Sequence, residues 1–222
     1  MNSQPRRTSA PRVPPVKLGA VAVVDEERLV DGDDDLEAVE ITGLQRTSLS
    51  WPTRRRLDSS RILGLQVEQW HAHGLAMAES VLERVEVVSV HASDSGWRRV
   101  EVRDSRIGSA ELSGSGWRGV HFSGCKLGYL NLRDAQVSDL LFSNCLIEEL
   151  DLMRAKATRV GFSNCRVGRL ELTGSTLADV DLRGAQLRDV GDLAGLRGAT
   201  LSLEQLLDLA PLMAERLGVL VE

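Results

Sequence analysis

Every fifth residue from Val87 to Leu187 is apolar, and this period of five limits what the chain can fold into more than any other feature. The residue two places before each of these positions is small or aliphatic, in alternation. An α-helix cannot hold a period of five on one face, because its apolar stripe recurs every 3.5 to about 3.6 residues. Simple β alternation has a period of two. The pattern therefore predicts short extended pieces, each with two inward residues flanking one outward residue, separated by turns.

A longer period of 20 residues lies over the period of five. Segments 95–114, 115–134, 135–154, 155–174 and 175–194 align without gaps, which places Phe122, Phe142 and Phe162 in one column. Four short pieces then complete one square coil, and successive coils stack at the strand spacing of about 4.8 Å. Each coil buries its interior only against its neighbours, as in other repeat proteins.

Segments 110–114, 130–134 and 180–184 read AELSG, LNLRD and VDLRG. They resemble the repeat of the bacterial pentapeptide-repeat family, in which a central Leu or Phe follows a small residue and an Asp or Asn. The resemblance implies an all-β solenoid, specifically a right-handed quadrilateral β-helix with a short C-terminal α-helical cap. We expect regular coils over 85–190 and degenerate coils over 36–84, where Ala72 with Trp70 fits the repeat poorly.

Residues 1–35 have a different composition. They hold four of the six prolines and an acidic run from Asp31 to Asp35 that Gly32 interrupts. Such a segment buries too little apolar surface to order itself, so it is predicted to be a disordered tail. A solvated linker is the favoured interpretation, and a tethering role is the alternative.

Residues 191–222 follow the end of the repeat and are predicted to form the cap. Ser202 and Gln205 have the spacing of a capping box, Pro211 is expected to break or kink the helix, and Gly218 is expected to end it. A solenoid needs its terminal coil covered. In some members of the family a similar helix forms a homodimer, so dimerisation is a second role. The candidate residues for the cap or the dimer contact are Leu203, Leu206, Leu207, Leu212 and Met213.

No residue pattern indicates catalysis, and no cofactor or metal site is predicted. Cys125, Cys145 and Cys165 would form a line along the interior, whereas metal ligands must converge on one point. His71 and His91 are 20 residues apart; a solvated polar ladder is favoured there over a pH-sensitive edge. No apolar run reaches membrane-spanning length, and an odd cysteine count without a secretion signal favours the cytoplasm.

Four large side chains stand at outward positions that are otherwise mostly polar, charged or glycine. They predict a contact patch near the middle of the rod, although scattered exposed apolar residues are also normal in proteins without such a function. These residues are Leu141, Leu146, Tyr129 and Met153.

The favoured function is a non-catalytic protein-interaction or scaffold module with an unknown partner. The alternative comes from the family, in which some members mimic DNA, bind DNA gyrase, and modulate topoisomerase activity or quinolone sensitivity. Mimicry requires an acidic surface, but residues 85–190 carry equal numbers of acidic and basic side chains. The net charge of −5 also gives no reason to expect direct binding to nucleic acid.

Overall fold

The chain is a parallel β-solenoid in the computed structural model, which describes residues 8–24, 29 and 35–220. Twenty strands precede a single described α-helix, α1 (Leu203–Leu217), and a 3-10 helix spans Leu193–Leu196. In chain order the strands are β1 Ala22–Val23, β2 Leu36–Glu37, β3 Val39–Thr42, β4 Gln45–Ser50, β5 Arg56–Asp58, β6 Arg61–Leu63, β7 Gln66–His71, β8 Ala76–Glu83, β9 Glu86–His91, β10 Gly96–Arg103, β11 Arg106–Glu111, β12 Gly116–Ser123, β13 Lys126–Asn131, β14 Gln136–Ser143, β15 Leu146–Asp151, β16 Lys156–Ser163, β17 Cys165–Glu171, β18 Thr176–Asp181, β19 Ala185–Val190 and β20 Ala199–Thr200.

The strands form two parallel sheets that follow the length of the rod. One sheet contains twelve strands and follows the order β1-β3-β6-β8-β10-β12-β14-β16-β18-β20, with β2 and β5 off this path; the other has eight strands, from β19 to β4. In the regular coils each residue pairs with the one 20 positions later, so Trp97 faces Trp117 and Phe122 faces Phe142. The solenoid and the register predicted from the sequence are confirmed.

The interior is a set of stacked columns. The residues at the period of five are buried from Val87 to Leu182, and Leu187 at the end is partly buried. The ring centre of Phe142 lies 5.2 Å from the ring centres of both Phe122 and Phe162. The ring centres of Trp97 and Trp117 are 4.5 Å apart. Parallel stacking of coils brings identical side chains together, which explains how a chain with 4% aromatic residues builds such stacks.

The first coil differs from the others by one residue. Leu36 pairs with Leu57 and Gln45 with Gln66, a separation of 21 residues, whereas later pairs are 20 apart. This extra residue lies between β4 and β5 and shifts the frame of the repeat. Trp70 and Ala72 are nevertheless 3% and 1% exposed, so the predicted poor fit at this point is not seen.

A polar side chain closes each end of the interior. At the N-terminal end Arg55 is buried, donates a 2.7 Å hydrogen bond to the carbonyl oxygen of Leu29, and lies 5.3 Å from the ring centre of Trp51. At the C-terminal end Gln205 of α1 donates 2.6 Å hydrogen bonds to the carbonyl oxygens of Leu182 and Ala185. Gln205 thus donates to carbonyl oxygens of the last coil, which no further coil follows, and Arg55 links the first coils to Leu29 in the segment before them.

Residues 8–24 lie against the solenoid along its length, and we call this segment the strap. Near one end Thr8 contacts Thr200 through their hydroxyl oxygens, and at the other end Ala22 pairs with Val39 in the sheet. The expectation of a disordered tail therefore does not hold for the strap, because side chains of distant coils supply the partners that its own sequence lacks. The acidic run falls almost wholly on residues 31–34, outside the described residues.

Helix α1 has the predicted ends. Ser202 and Gln205 form the capping box, and Gly218 closes the helix in the left-handed region with a φ of 70°. The helix continues through Pro211 as one element, so of the predicted break or kink the break does not occur.

Candidate protein-interaction surfaces

Two sides of α1 have opposite environments. Gln205 and Leu209 are buried against the last coil, and Leu212 and Met213 pack partly buried against the core. Three of the candidates for the cap or the dimer contact, Leu203, Leu206 and Leu207, are exposed on the other side. The carbonyl oxygens of the last coil are bound by a residue that was not among these candidates, Gln205.

The outer side of α1 exposes a continuous apolar face, which we call the outer face. Its large residues, with their exposed fractions, are Leu203 (73%), Leu206 (44%), Leu207 (65%), Leu217 (76%), Val219 (55%) and Leu220 (90%). A shallow groove beside them is lined by Leu207, Ala210, Pro211, Ala214 and the chain after Gly218. Exposed apolar surface of this extent, at helical spacing, is typical of a protein contact.

The four outward residues predicted to form one patch occupy separate places. Leu146 is 44% exposed on β15, at the opposite end of that strand from Asp151. Tyr129 and Met153 meet over Asp151, which accepts a 3.1 Å hydrogen bond from the Tyr129 hydroxyl and one of 2.9 Å from the Met153 amide. Leu141 lies on β14 in the other sheet, half-buried in a column that the strap follows.

Asp151 is fully buried and is held by protein groups rather than offered to a ligand. Its carboxylate also accepts a 2.6 Å hydrogen bond from the Nε of Arg133. Burial, and then the nearby charge of Asp151, raises the pKa of the Tyr129 hydroxyl to about 12. A neutral tyrosine, an aspartate and an arginine locked together in this way stabilise the corner of a coil, since each polar group is satisfied within the cluster.

The rod face beneath the strap carries a row of carboxylates. The amides of Ser9, Arg12 and Val16 donate to Asp179, Asp139 and Glu101 respectively, with the first two distances at 3.3 and 2.9 Å. The first of these contacts is exposed, the second is partly buried and the third is buried. Sequence reasoning missed this surface, because the carboxylates are 85 to 170 residues from the amides that they bind.

Asp139 and His121 on this face have shifted pKa values. Paired hydrogen bonds of 2.6 and 2.7 Å from Arg159 lower the pKa of Asp139. His121 lies in the same column as Glu101 and Leu141, and burial lowers its pKa although Glu101 opposes the shift. Its Nε2 is 3.0 Å from the Ser143 hydroxyl oxygen.

Several acidic side chains elsewhere on the regular coils are paired with arginines. Asp134 is bound by two nitrogens of Arg154, both at 2.7 Å, and Asp189 by Arg169 at 2.6 Å. The carboxylates of Glu111, Asp151 and Glu171, which form one column, each accept a hydrogen bond from a neighbouring side chain. A surface neutralised in this way lacks the unbroken negative potential of duplex DNA.

The cysteines and histidines form ladders. All three cysteines are free and buried, and hydrogen bonding from neighbouring thiols together with burial raises the pKa of Cys165. His71 and His91 stack with ring centres 4.9 Å apart and are exposed. Among the described residues, no group of three His, Cys, Asp or Glu side chains is arranged to hold a metal ion. Within the same residues, no helix has the length and apolar character needed to cross a membrane.

Residues 115–191 match the family model described as a pentapeptide repeat region. No curated protein matches the chain. Among solved structures, the chain is similar to two trypsin-treated variants of QnrB1, which is described as a plasmid-mediated fluoroquinolone resistance protein. The first is 15% identical with a TM-score of 0.25, and the alignment covers 92% of this chain and 100% of that one. The second is 18% identical with a TM-score of 0.22, covering 82% and 99%.

Proposed function

We propose that this chain, a pentapeptide-repeat protein, is a non-catalytic protein-interaction module that pairs with a second copy of itself through the outer face of α1. The proposal rests on one observation: the leucines of the outer face are not needed to cap the rod, because Gln205 and Leu209 do so from the opposite side of the helix. Water-exposed leucines at helical spacing are unfavourable unless another apolar surface covers them.

A second copy is the occupant that the outer face fits. The groove beside Leu207 lies next to a ridge made by Leu203, Leu206 and Leu207 on the same helix. A two-fold axis through such a surface would place each ridge against the other chain's groove, as a closed isologous contact requires. The dimer of two solenoids would then be the form that binds the partner protein. We place it in the cytoplasm, where the three free cysteines stay reduced.

Binding to DNA gyrase by DNA mimicry receives less support from the charges. Several acidic groups of the regular coils, such as Asp134 and Asp189, are paired with arginines, and the number of acidic groups is balanced by basic groups. We therefore expect purified protein to leave gyrase supercoiling unchanged, with or without a quinolone. Inhibition or protection in that assay would favour mimicry over the neutral interaction module.

Leu207→Lys tests the pairing. Leu207 is 65% exposed in the single chain, so lysine should leave the fold intact while placing a charge in the contact. We expect light scattering to give the mass of two chains for the wild type and of one chain for the variant, with unchanged circular dichroism. Glu204→Lys is the matched control, because position 204 also lies on α1 and is exposed but is not in the apolar groove. A wild type that is a single chain at micromolar concentration would refute the proposal.

A further inference from the structure

The strap crosses the strands instead of pairing with them along most of its course. Residues 9 to 16 run along the rod axis from Asp179 to Glu101, whereas the strands run around it. A chain in this direction cannot form a β ladder with the coils. Its amides are satisfied instead by carboxylates on the outer surface, a form of recognition that depends on peptide backbone more than on side-chain identity.

The spacing of these carboxylates matches an extended proline-type helix. Asp179 and Asp139 are two coils apart, which is about 9.6 Å at the strand spacing. The amides that they bind, of Ser9 and Arg12, are three residues apart, and three residues of polyproline II helix advance about 9.3 Å. One turn of a polyproline II peptide thus spans the distance between Asp179 and Asp139, and the contact of Val16 with Glu101 follows four residues further on.

Missing side chains on the rod make room for the peptide. A Cβ atom on Gly161 would lie 3.1 Å from two ring carbons of Pro11 and 3.6 Å from a methyl carbon of Leu141. A Cβ atom on Gly119 would lie 3.8 Å from the carbonyl oxygen of Arg12. Pro11 therefore sits in a notch at Gly161 beside Leu141, which gives this outward leucine a partner.

The strap is attached more weakly than the coils. Val16 is its one buried residue among those described, and most of its other side chains are exposed or half-buried. Segments with few buried apolar contacts open at a small fraction of the free energy needed for global unfolding. The strap is also free of acidic residues and carries Arg12 and Lys17 over a face with several carboxylates.

We propose that the face beneath the strap is a binding groove for an extended, proline-containing, basic peptide of a partner protein, and that the strap occupies this groove until the partner displaces it. The carboxylates Asp179, Asp139 and Glu101 receive the peptide amides, and the notch at Gly161 receives a proline. The groove would supply the partner contact of the interaction module proposed above, but it is separate from the outer face of α1.

The test uses the full chain with the strap released. Val16→Glu places a carboxylate against the buried Glu101 and removes the strap's apolar anchor. Faster trypsin cleavage after Lys17 than in the wild type reports release. The probe is a fluorescein-labelled peptide of residues 8–24, and the same peptide with Val16→Glu is its control.

We expect the probe to bind the Val16→Glu protein saturably and the wild type at least about tenfold more weakly, because occupancy by the strap lowers the available fraction of grooves. Adding Gly161→Val should abolish binding by filling the notch. Circular dichroism should stay unchanged, since a valine, Val81, already stands in the same column four coils earlier.

Failure of the probe to bind the released protein, or binding that survives Gly161→Val, would overturn the groove. Unchanged trypsin cleavage would overturn the strap's role as its occupant. An increase in mass on release would instead assign the groove to a second copy and overturn the partner peptide. None of these results depends on pairing through α1, which Leu207→Lys tests separately.

Discussion

Both ends of the rod are closed by a polar side chain, but they differ in how much apolar surface they expose. Gln205 at the C-terminal end donates to two carbonyl oxygens of the last coil, and Arg55 at the N-terminal end donates to the carbonyl oxygen of Leu29, which precedes the first coil. At the N-terminal end the accompanying apolar residues, Leu29 and Trp51, are buried. At the C-terminal end the outer face of α1 remains exposed. Capping a coil therefore does not require exposed leucines, and among the described residues the exposed leucines at an end of the rod lie on and after α1, which points to a contact made there.

The largest expected effect lies between the two ends. Phe142→Asp would place a charge between Phe122 and Phe162, 5.2 Å from each ring, with no partner. We expect the loss to approach the whole stability of a domain, about 5–15 kcal/mol, so that the chain unfolds. Denaturant titration followed by circular dichroism measures it, and Phe142→Leu is the apolar control that should remain folded. An unchanged midpoint for Phe142→Asp would refute the assigned register.

A smaller and similar effect is expected at both ends. Gln205→Leu would remove the donor that binds the carbonyl oxygens of Leu182 and Ala185, and Arg55→Leu would remove the donor that binds the carbonyl oxygen of Leu29. Losing the donor of a buried acceptor costs about 1–3 kcal/mol. Denaturant midpoints of the two variants should fall by comparable amounts. If only one falls, the ends are not equivalent caps, and the inference drawn from comparing them loses its basis.

The smallest expected effect concerns the strap that connects the two ends. Burial lowers the pKa of His121, which lies in the column that the strap follows, so the neutral ring is favoured in the folded chain. The unfolded chain therefore binds a proton on His121 more readily than the folded chain does. The free energy of unfolding is highest above the unfolded pKa of about 6.5 and decreases as the pH falls from there through the lower folded pKa. We expect trypsin cleavage after Lys17 to accelerate mildly below this pH. In the Val16→Glu protein, NMR titration should show a higher pKa for His121; an unchanged value would mean that the strap does not bury this residue.

The coils could be predicted from the sequence because their interior is periodic. An apolar residue recurs at every fifth position from Val87 to Leu187, and four such steps give the parallel register in which paired residues are 20 positions apart. The capping box of Ser202 and Gln205 is also local and was predictable. The strap was not, since its partners Asp179, Asp139 and Glu101 are brought to it only by the finished fold. Which side of α1 faces the last coil was not predictable, because leucines lie on both sides of the helix and the contact with the coil includes the amide of Gln205.

Hydrogen exchange across a dilution series tests most directly whether the C-terminal end is the paired one. Amides of α1 in the wild type should exchange more slowly as protein concentration rises and more slowly than in Leu207→Lys, whereas amides of the first coil, residues 36–50, should exchange at one rate throughout. Such a result would locate the contact at the end whose leucines are exposed. Exchange in α1 that is independent of concentration and as fast as in Leu207→Lys would contradict the account.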